Sequence, residues 1–494
     1  MADICIAYSR TDVKAAKLLF EVLSQSWDVW WDYALVGNHD DEIEREVPQA
    51  KYLIPVLTHA SRKSQNVKDE WRLARKHNVE IIPAKLEECD APYGFYAKSY
   101  VELFDWNGEA DHPGIKQLQA KISSLVAPRT APKRPKEIEN GRIKLPTLFH
   151  SVSSHETRLD PLEAIKVLSI FGVGEYDAPT SLIGSSTILV SAYDLVEKRY
   201  NSPTKLKDLT KLRNALKRFR KAGGFVLIDS GNYEADRLQD NTWSRTDLEN
   251  ALVSTPHDWA FSFDFPDAAL KKSVRNRKPT TSAKAIISGV KLDQKLTSSP
   301  ILPIVHAPQL TEGGHDLKNL PSVICEISEQ LRPPMIAVPE RELGPGLVES
   351  AHTIRRIREA LDKLPFYQPI HILGTGNPRS ISVYSVAGAD SFDGLEWCRY
   401  VVDGETGTLH HTQHFDFFEI QARFADSSVT RAAMDDTKIG ISGKAAFHNL
   451  DYYARFSAKL RLASQEGRLE AFIVKWLGKP NTDLLEERIP GIFK

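Results

Sequence analysis

The sequence predicts an α/β protein of two domains, a parallel sheet wound with helices followed by a (β/α)8 barrel. Three observations predict it. Short apolar runs alternate with helical patterns over residues 1–126, and eight further apolar runs recur after residue 145. Between them, residues 127–144 open on a proline-rich basic stretch, Ala127-Pro128-Arg129-Thr130-Ala131-Pro132-Lys133-Arg134-Pro135-Lys136, which reads as a semi-rigid linker.

The first domain opens with the apolar strand Ile4-Cys5-Ile6-Ala7, which runs into Tyr8-Ser9-Arg10. Asp12 is placed to cap a helix whose apolar face is Ala16, Leu19, Phe20 and Leu23. A second short strand lies at Asp28-Val29-Trp30-Trp31-Asp32, followed by a loop through Gly37 and a helix from about Asp40 to Gln49. The strand Tyr52-Leu53-Ile54-Pro55-Val56-Leu57, a helix over 67–77 and the strand Val79-Glu80-Ile81-Ile82-Pro83 complete the pattern. Such alternation gives a doubly wound parallel sheet, whose ligands sit beyond the carboxyl ends of the strands. Tyr8, Ser9, Arg10, Trp31, Asp32 and the loop before Glu70 all fall there.

Composition narrows the function classes. The 494 residues suffice for two or three domains, and 41% hydrophobic with 26% charged residues describes a soluble globular chain. A net charge of −1 excludes a bulk electrostatic drive toward nucleic acid or membrane and leaves only a local basic face for that purpose. The four cysteines, Cys5, Cys89, Cys325 and Cys398, are scattered without a C-x-x-C pair, which argues for a reducing compartment and against a disulfide framework or a cysteine-rich metal site. No signal peptide and no apolar run of membrane-spanning length are evident, so a cytoplasmic protein is expected.

The segments IAYSRTD, VWWD with Gly37 after it, and the polar loop ending in Glu70-Trp71 together resemble a TIR domain over most of residues 1–126. The resemblance implies a flavodoxin-like fold and either an adaptor or an NAD-cleaving enzyme. In the enzymes a Glu at the position of Glu70 is the catalytic carboxylate, and Tyr8, Ser9, Arg10 and Trp31 become candidate contacts to NAD+ as substrate. A Trp that often precedes that Glu by four residues is Asn66 here, which alters a stacking contact and leaves the carboxylate in place. The chemistry suits one carboxylate: nicotinamide departs neutral from a pyridinium, and a nearby anion stabilises the oxocarbenium character left on the ribose. The resemblance also implies self-association through TIR domains, and no metal cofactor is expected.

After residue 145 the strand-like runs are Leu148–His150, Thr187–Val190, Phe225–Ile228, Trp259–Phe263, Ile301–Val305, Met335–Val338, Ile370–Leu373 and a last one ending at Phe392. Helical patterns at 204–221, 319–331, 349–363 and 379–387 fill gaps between them, as a (β/α)8 TIM barrel requires. Polar residues follow the strands where such a barrel collects its active site: Asp229, Asp264, His306, Glu340, Gly374-Thr375-Gly376-Asn377-Pro378 and Asp393. Singly, Asp229 also reads as a turn residue, Asp264 as a helix cap and the glycine pair as a βα turn without a dinucleotide fingerprint. Their common register on one rim argues for a ligand site.

The motifs LIDSGNYE, FSFDFP, PIVHAPQ, HILGTGNP and GADSFDGLEWCR, with the closing Phe447-His448-Asn449-Leu450-Asp451-Tyr452-Tyr453, resemble the tRNA-guanine transglycosylase superfamily over roughly residues 145–475. The resemblance implies that Asp393 attacks ribose C1′, that Asp229 handles protons, and that Asp264, His306, Glu340, Gly374 and Gly376 line a base site. The departures are specific. The family's Cys-x-Cys-x-x-Cys zinc site is absent, with no cysteine between Arg399 and His448; Asn232 replaces a glycine; His306 stands for a base-contacting Gln; and Pro339-Glu340 replaces a glycine-rich loop. The chemical carboxylates persist while the tRNA-docking parts change, so DNA, RNA, a nucleobase or a nucleotide are all candidate ligands. The cluster His410-His411-Thr412-Gln413-His414 with Asp416 lacks regular ligand spacing and reads as a solvated loop or hairpin. Lys217-Arg218-Phe219-Arg220-Lys221 and Arg355-Arg356-Ile357-Arg358 read as basic helix faces able to meet phosphates.

Two functions are therefore expected. In the first, Glu70 hydrolyses NAD+ as the output of bacterial anti-phage immunity, gated by what the barrel binds, such as a nucleobase, a nucleic acid or another phage-derived trigger, and by oligomerisation. In the second, the barrel is a working guanine or deazaguanine base-exchange transglycosylase and the TIR domain an assembly module.

Overall fold

The computed structural model describes residues 2–24, 26–31, 39–91, 100–109, 111–126, 133–157, 160–172, 187–196, 209–265 and 278–493. Asp32 and Gly37 lie outside the described residues. The chain divides into two compact units, residues 1–131 and 132–494.

The first unit is a parallel sheet of β1 (Ile4–Ala7), β2 (Val29–Trp30), β3 (Tyr52–Leu57), β4 (Glu80–Ile81), β5 (Ala84–Lys85) and β6 (Val101–Glu102), in the order β2-β1-β3-β5-β6 with β4 also on β3. The strands are apolar on both faces because helices cover both. Ile4 and Ile6 of β1 pack with Ala16 and Leu19 of helix Val13–Leu23, while Cys5 and Ala7 pack with Trp71 and Ala74 of helix Gln65–Lys76. The strand expected over 79–83 is divided at Pro83, between β4 and β5, since proline donates nothing to a ladder. Helix Gln65–Lys76 starts earlier than expected because Ser64 Oγ caps Val67 N at 3.5 Å. Asp12 corrects another expectation: it ends a 3-10 turn, makes no side-chain cap, and accepts from Thr58 Oγ1 at 2.8 Å instead.

The second unit is a barrel. A small hairpin, β7 (Glu137–Ile138) and β8 (Ile143–Lys144), precedes eight parallel strands: β9 (Thr147–Val152), β10 (Thr187–Ser191), β11 (Phe225–Asp229), β12 (Trp259–Phe261), β13 (Ile301–Leu302), β14 (Ile336–Pro339), β15 (Ile370–Leu373) and β16 (Ser391–Gly394). They pair in the order β13-β12-β11-β10-β9-β16-β15-β14. An Ile304–Ala337 bridge joins the two ends, with Val305 N donating to Ala337 O at 2.8 Å. Pro303 is why β13 is shorter than its apolar run. Each strand alternates. Phe149, Leu189, Leu227, Trp259 and Phe261 fill the barrel, whereas Leu148, Val190, Ile228 and Ile372 face the helices. The helix expected over 204–221 is described as Leu209–Lys221, with 204–208 outside the described residues.

Arginines knot the floor of this barrel. Arg142 of the hairpin and Arg220 both bind Asp258, whose carboxylate also takes Val226 N. Arg134, from the segment read as linker, donates to Asp390 Oδ1 at 2.7 Å, to Ser464 Oγ at 3.1 Å and to the carbonyls of Ser385 and Ala389. Asp390 in turn takes Ile370 N and the Tyr367 hydroxyl, joining the starts of β15 and β16. Two residues of the expected basic faces are consumed here: Arg220 by Asp258, and Arg358 by Asp362 and the Gln368 carbonyl. They hold the fold rather than present charge to solvent. Removing one partner of a buried pair strands the other charge, so Arg134→Ala should cost about 3–5 kcal/mol. Urea unfolding of the full chain measures this; a loss below about 1 kcal/mol, the level of an exposed pair, would show that Asp390 finds other partners.

Candidate functional site

The period-2 register that fills the barrel with apolar side chains delivers polar ones at its carboxyl end. Two residues beyond Phe149, Leu189 and Leu227 stand Ser151, Ser191 and Asp229, and two beyond Ser391 stands Asp393. Helix starts and loops beyond the strands add Glu234, Asp264, His306, Glu340 and Glu342. Together they line a cavity of about 720 Å³, within the usual range for small-molecule sites.

Asp393 is held on several sides. Ser151 Oγ donates to its Oδ2 at 2.8 Å, Gly374 N to its Oδ1 at 2.8 Å, and His371 Nε2 lies 3.3 Å from Oδ1. Gly374 has φ +83°, so its N–H reaches the carboxylate from a conformation that favours glycine. The other glycine of that loop plays a different part. Gly376 is outside the cavity lining; a Cβ there would come within 2.3 Å of Glu396, whose carboxyl takes the Gly376 N–H. Burial, offset in part by that bond, pushes Glu396 up to about 7. Tyr453 of the closing helix Ile441–Gln465 fixes the same loop by donating to Gly376 O at 2.8 Å.

The remaining carboxyls are sorted by their neighbours. Asp229 is pushed well above the ordinary aspartate range by burial, then by the charges of Glu234, Asp264 and Asp393. Glu234 and Glu340 are raised by burial against partial relief from hydroxyl donors. Asp264 goes the other way: burial is outweighed by hydrogen bonds from His306 and Asn232, which hold it low. His306 Nε2 lies 2.9 Å from Asp264 and Nδ1 2.8 Å from Glu342, so burial is overcome and its pKa rises to about 9. Both ring nitrogens are thus taken by carboxylates. His306 lines the cavity, but its polar atoms orient Asp264 instead of standing free for a base.

His306 makes stability depend on alkaline pH. Its folded pKa lies above the unfolded value of about 6.5, so its contribution, on the order of 3 kcal/mol, is complete below that value and is lost as pH rises through about 9. The melting temperature should fall between pH 7 and 10, and His306→Gln should flatten that limb. An unchanged alkaline slope in the variant would assign the loss to other groups.

In the first unit Tyr8 and Trp31 come together, ring centroids 5.7 Å apart, with Phe20 stacked on Trp31 at 5.4 Å. Ser9 bonds Thr11, and Arg10 is exposed at the start of a 3-10 turn. Glu70 occupies one of the buried positions of helix Gln65–Lys76, with Val67, Trp71 and Ala74, and is 8% exposed. It faces β1 at Cys5, whose thiol is pushed up to about 12 by burial, then by Glu46 and Glu70. Tyr8 and Trp31 belong to the packing cluster of Ile4 and Ile6, whereas the Trp71 beside Glu70 packs with Cys5 and Ala7. Asn66 is exposed.

The histidine-rich segment adopts a hairpin, Tyr400–Val402 with Leu409–His411, and a following 3-10 turn. His410 packs on Phe418 and His411 Nδ1 accepts from Gln413 N. These residues do not fit a zinc site, and among the described residues no group of three His, Cys, Asp or Glu is arranged to hold a metal.

Several site residues had no individual weight in the sequence. Ser151 and Ser191 were recoverable from strand register. Glu234 and Asn232 sit inside a motif whose Asp229 drew attention, and Glu396 sits behind two glycines. Glu342 and His371 gave no signal, because their roles depend on neighbours far along the chain.

Residues 4–119 match the TIR domain family. The chain is also similar to the tRNA-guanine(15) transglycosylase of Methanopyrus kandleri (strain AV19), 24% identical over 270 residues, which is 53% of this chain and 51% of that protein. It thus spans about half the length of the curated relative it matches. The chain therefore joins a TIR domain to a distant transglycosylase-like barrel. A TIR domain suggests signalling or NAD cleavage, and TIR domains commonly self-associate. No helix among the described residues is long and apolar enough to cross a membrane.

Proposed function

We propose that this chain is an NAD+-cleaving TIR effector controlled by a nucleobase-binding barrel. The rim chamber carries the reading: it pairs a histidine-fixed Asp264, held low, with an oriented Asp393 and an Asp229 pushed well above the ordinary aspartate range. A low-held carboxylate accepts from a donor-rich edge such as that of guanine, the base named in the relative's activity. In the TIR domain, Glu70 stabilises the ribosyl cation as nicotinamide leaves; water then adds at C1′ to give ADP-ribose and a proton, or an internal nucleophile closes a cyclic form. Tyr8 and Trp31 pack in a different cluster from the one beside Glu70, which favours a site completed when TIR domains associate. Loss of NAD+ harms the cell that makes the enzyme. Control by a bound trigger, whether a nucleobase, a nucleic acid or another phage product, suits a cytoplasmic anti-phage system. The test follows nicotinamide release from NAD+ by the full chain, alone and with guanine, a deazaguanine or oligonucleotides. Absence of cleavage under every condition sinks the reading.

One observation favours a second function. Asp229 and Asp393 have their environments split as a proton carrier and a fixed nucleophile require. On that reading the barrel exchanges guanine or a deazaguanine in DNA or RNA, and the TIR domain assembles copies.

A further inference from the structure

The arginines of the barrel fall into two sets. Those at its floor hold the fold: Arg134 meets Asp390, Arg142 and Arg220 meet Asp258, and Arg358 meets Asp362 and the Gln368 carbonyl. Arg341 differs. It lies in the turn Glu340–Glu342 beyond β14, it is exposed, and it lines the cavity. Its neighbours in the chain are both committed, Glu340 to the Tyr384 hydroxyl and Glu342 to His306. Among the described residues no carboxylate or hydrogen-bond partner meets Arg341 itself. Its contact is the ring of Tyr233, whose centroid lies 6.0 Å from the guanidinium carbon.

The same ring carries a second arginine. Tyr233 and Arg237 are four residues apart on helix Asn232–Arg237, so they share a face. The Arg237 guanidinium carbon lies 5.3 Å from the ring centroid, and its Nε donates to the Tyr233 hydroxyl at 3.2 Å. Tyr233 and both arginines are exposed and line the cavity, which places them at its mouth. The helix follows β11 and Arg341 follows β14, so the contact spans the part of the rim, beyond β12 and β13, that holds Asp264 and His306. Two cations gathered on one ring repel each other, and an anion taken by both relieves that repulsion. A guanidinium held by its face keeps its planar edge for donation, the geometry that matches phosphate.

The interior sorts the ligand. Carboxyls line it, among them the low-held Asp264, and they repel a phosphate. A nucleotide whose base enters toward Asp264 therefore keeps its phosphates outside, where the arginines stand. A nucleic-acid strand needs more: cations that continue away from the mouth along its other phosphates. The two basic helix faces do not supply that path. Each barrel helix ends where the next strand begins, so helices Leu209–Lys221 and Leu347–Leu361 carry their basic ends toward the floor, where Arg220 and Arg358 are tied to carboxylates. We propose that Arg341 and Arg237 form, on the ring of Tyr233, a phosphate subsite at the mouth of the chamber, so that the barrel takes a free guanosine 5′-phosphate in preference to a bare base or a strand. The inference rests on the reading of the barrel as a nucleobase chamber, and it names the class of trigger as a small nucleotide.

Calorimetric titration of the full chain with guanine, guanosine, guanosine 5′-monophosphate and guanosine 5′-triphosphate tests it, with a guanine-containing oligonucleotide for comparison. The phosphates should bind about tenfold or more tightly than guanosine, the worth of about one hydrogen bond to a charged group, and added salt should shrink that gap. Arg341→Ala and Arg237→Ala should each cut the gap to about threefold or less, and Arg341→Lys, which keeps the charge without the planar fork, should retain part of it. Both positions are exposed, so the variants should fold. Guanosine binding as tightly as its phosphates, or a gap unchanged in the double alanine variant, overturns the subsite alone. An oligonucleotide that binds more tightly than the triphosphate, and loses more in the double variant, overturns the free nucleotide in favour of a strand. Failure of guanine, guanosine and its phosphates to bind overturns the nucleobase reading and the subsite with it.

Discussion

Glu70→Ala is expected to slow nicotinamide release from NAD+ by on the order of 10²–10³-fold, about 2.7–4 kcal/mol of transition-state stabilisation. The expectation comes from the charge that develops: the ribosyl cation exists only at the transition state, so a carboxylate near it acts on turnover more than on NAD+ binding. Glu70→Gln is the sharper variant. It keeps the side chain's shape at a buried position of helix Gln65–Lys76 and removes only the charge. Its circular dichroism gives an independent check that the helix and the packing around it are intact. A folded Glu70→Gln protein with full NAD+ cleavage would assign the carboxylate to packing alone. Loss of cleavage without change in apparent NAD+ affinity supports the catalytic role. Activity should also depend on protein concentration if the site is completed between copies.

The same helix shows how far sequence carries and where it stops. The buried positions 67, 70, 71 and 74 follow from helical spacing, and all eight barrel strands lie at their apolar runs, because period and burial are local properties. Position on the rim was legible for the same reason: Asp229 and Asp393 end strands, and strand ends converge in a barrel. Roles were less legible. His306 looked like a base contact, yet its partners are Asp264 and Glu342, the latter 36 residues away. Arg358 and Arg220 read as parts of basic faces open to phosphates, yet each meets a carboxylate supplied by another element or turn. Gly374 and Gly376 looked equivalent, but only the first turns its N–H to Asp393; the second makes room for Glu396. Pairings across the chain are set by the closed sheet, and no local pattern encodes them.

Asp393→Asn is expected to abolish any base exchange by the barrel, with a loss on the order of 10⁴-fold or more, as for removal of other covalent nucleophiles. In that reaction an Asp393 oxygen bonds to C1′ as the C1′–N bond to guanine breaks, and Asp229 gives the departing base its proton. The incoming base reverses both steps and returns the proton. The amide is isosteric: its oxygen can accept from Gly374 N, and its NH2 can donate to Ser151 Oγ, whose hydroxyl is free to turn, so the chamber's geometry should survive while the nucleophile is lost. Asp229→Asn should behave differently. It keeps the nucleophile and removes the proton carrier, so the loss should be smaller, on the order of 10²–10⁴-fold, and should be partly recovered with a base that leaves without needing a proton. Exchange of labelled guanine into an oligonucleotide, with mass spectrometry for the covalent adduct, separates the two. Both variants should also be assayed for triggered NAD+ cleavage. If Asp393→Asn loses exchange but keeps triggering, recognition by the chamber is enough to control the TIR domain. If it loses both, the covalent adduct is itself the signal. If the wild type shows no exchange and no adduct but still responds to a nucleobase, the two aspartates serve binding alone, and the barrel is a sensor built from the parts of a transferase.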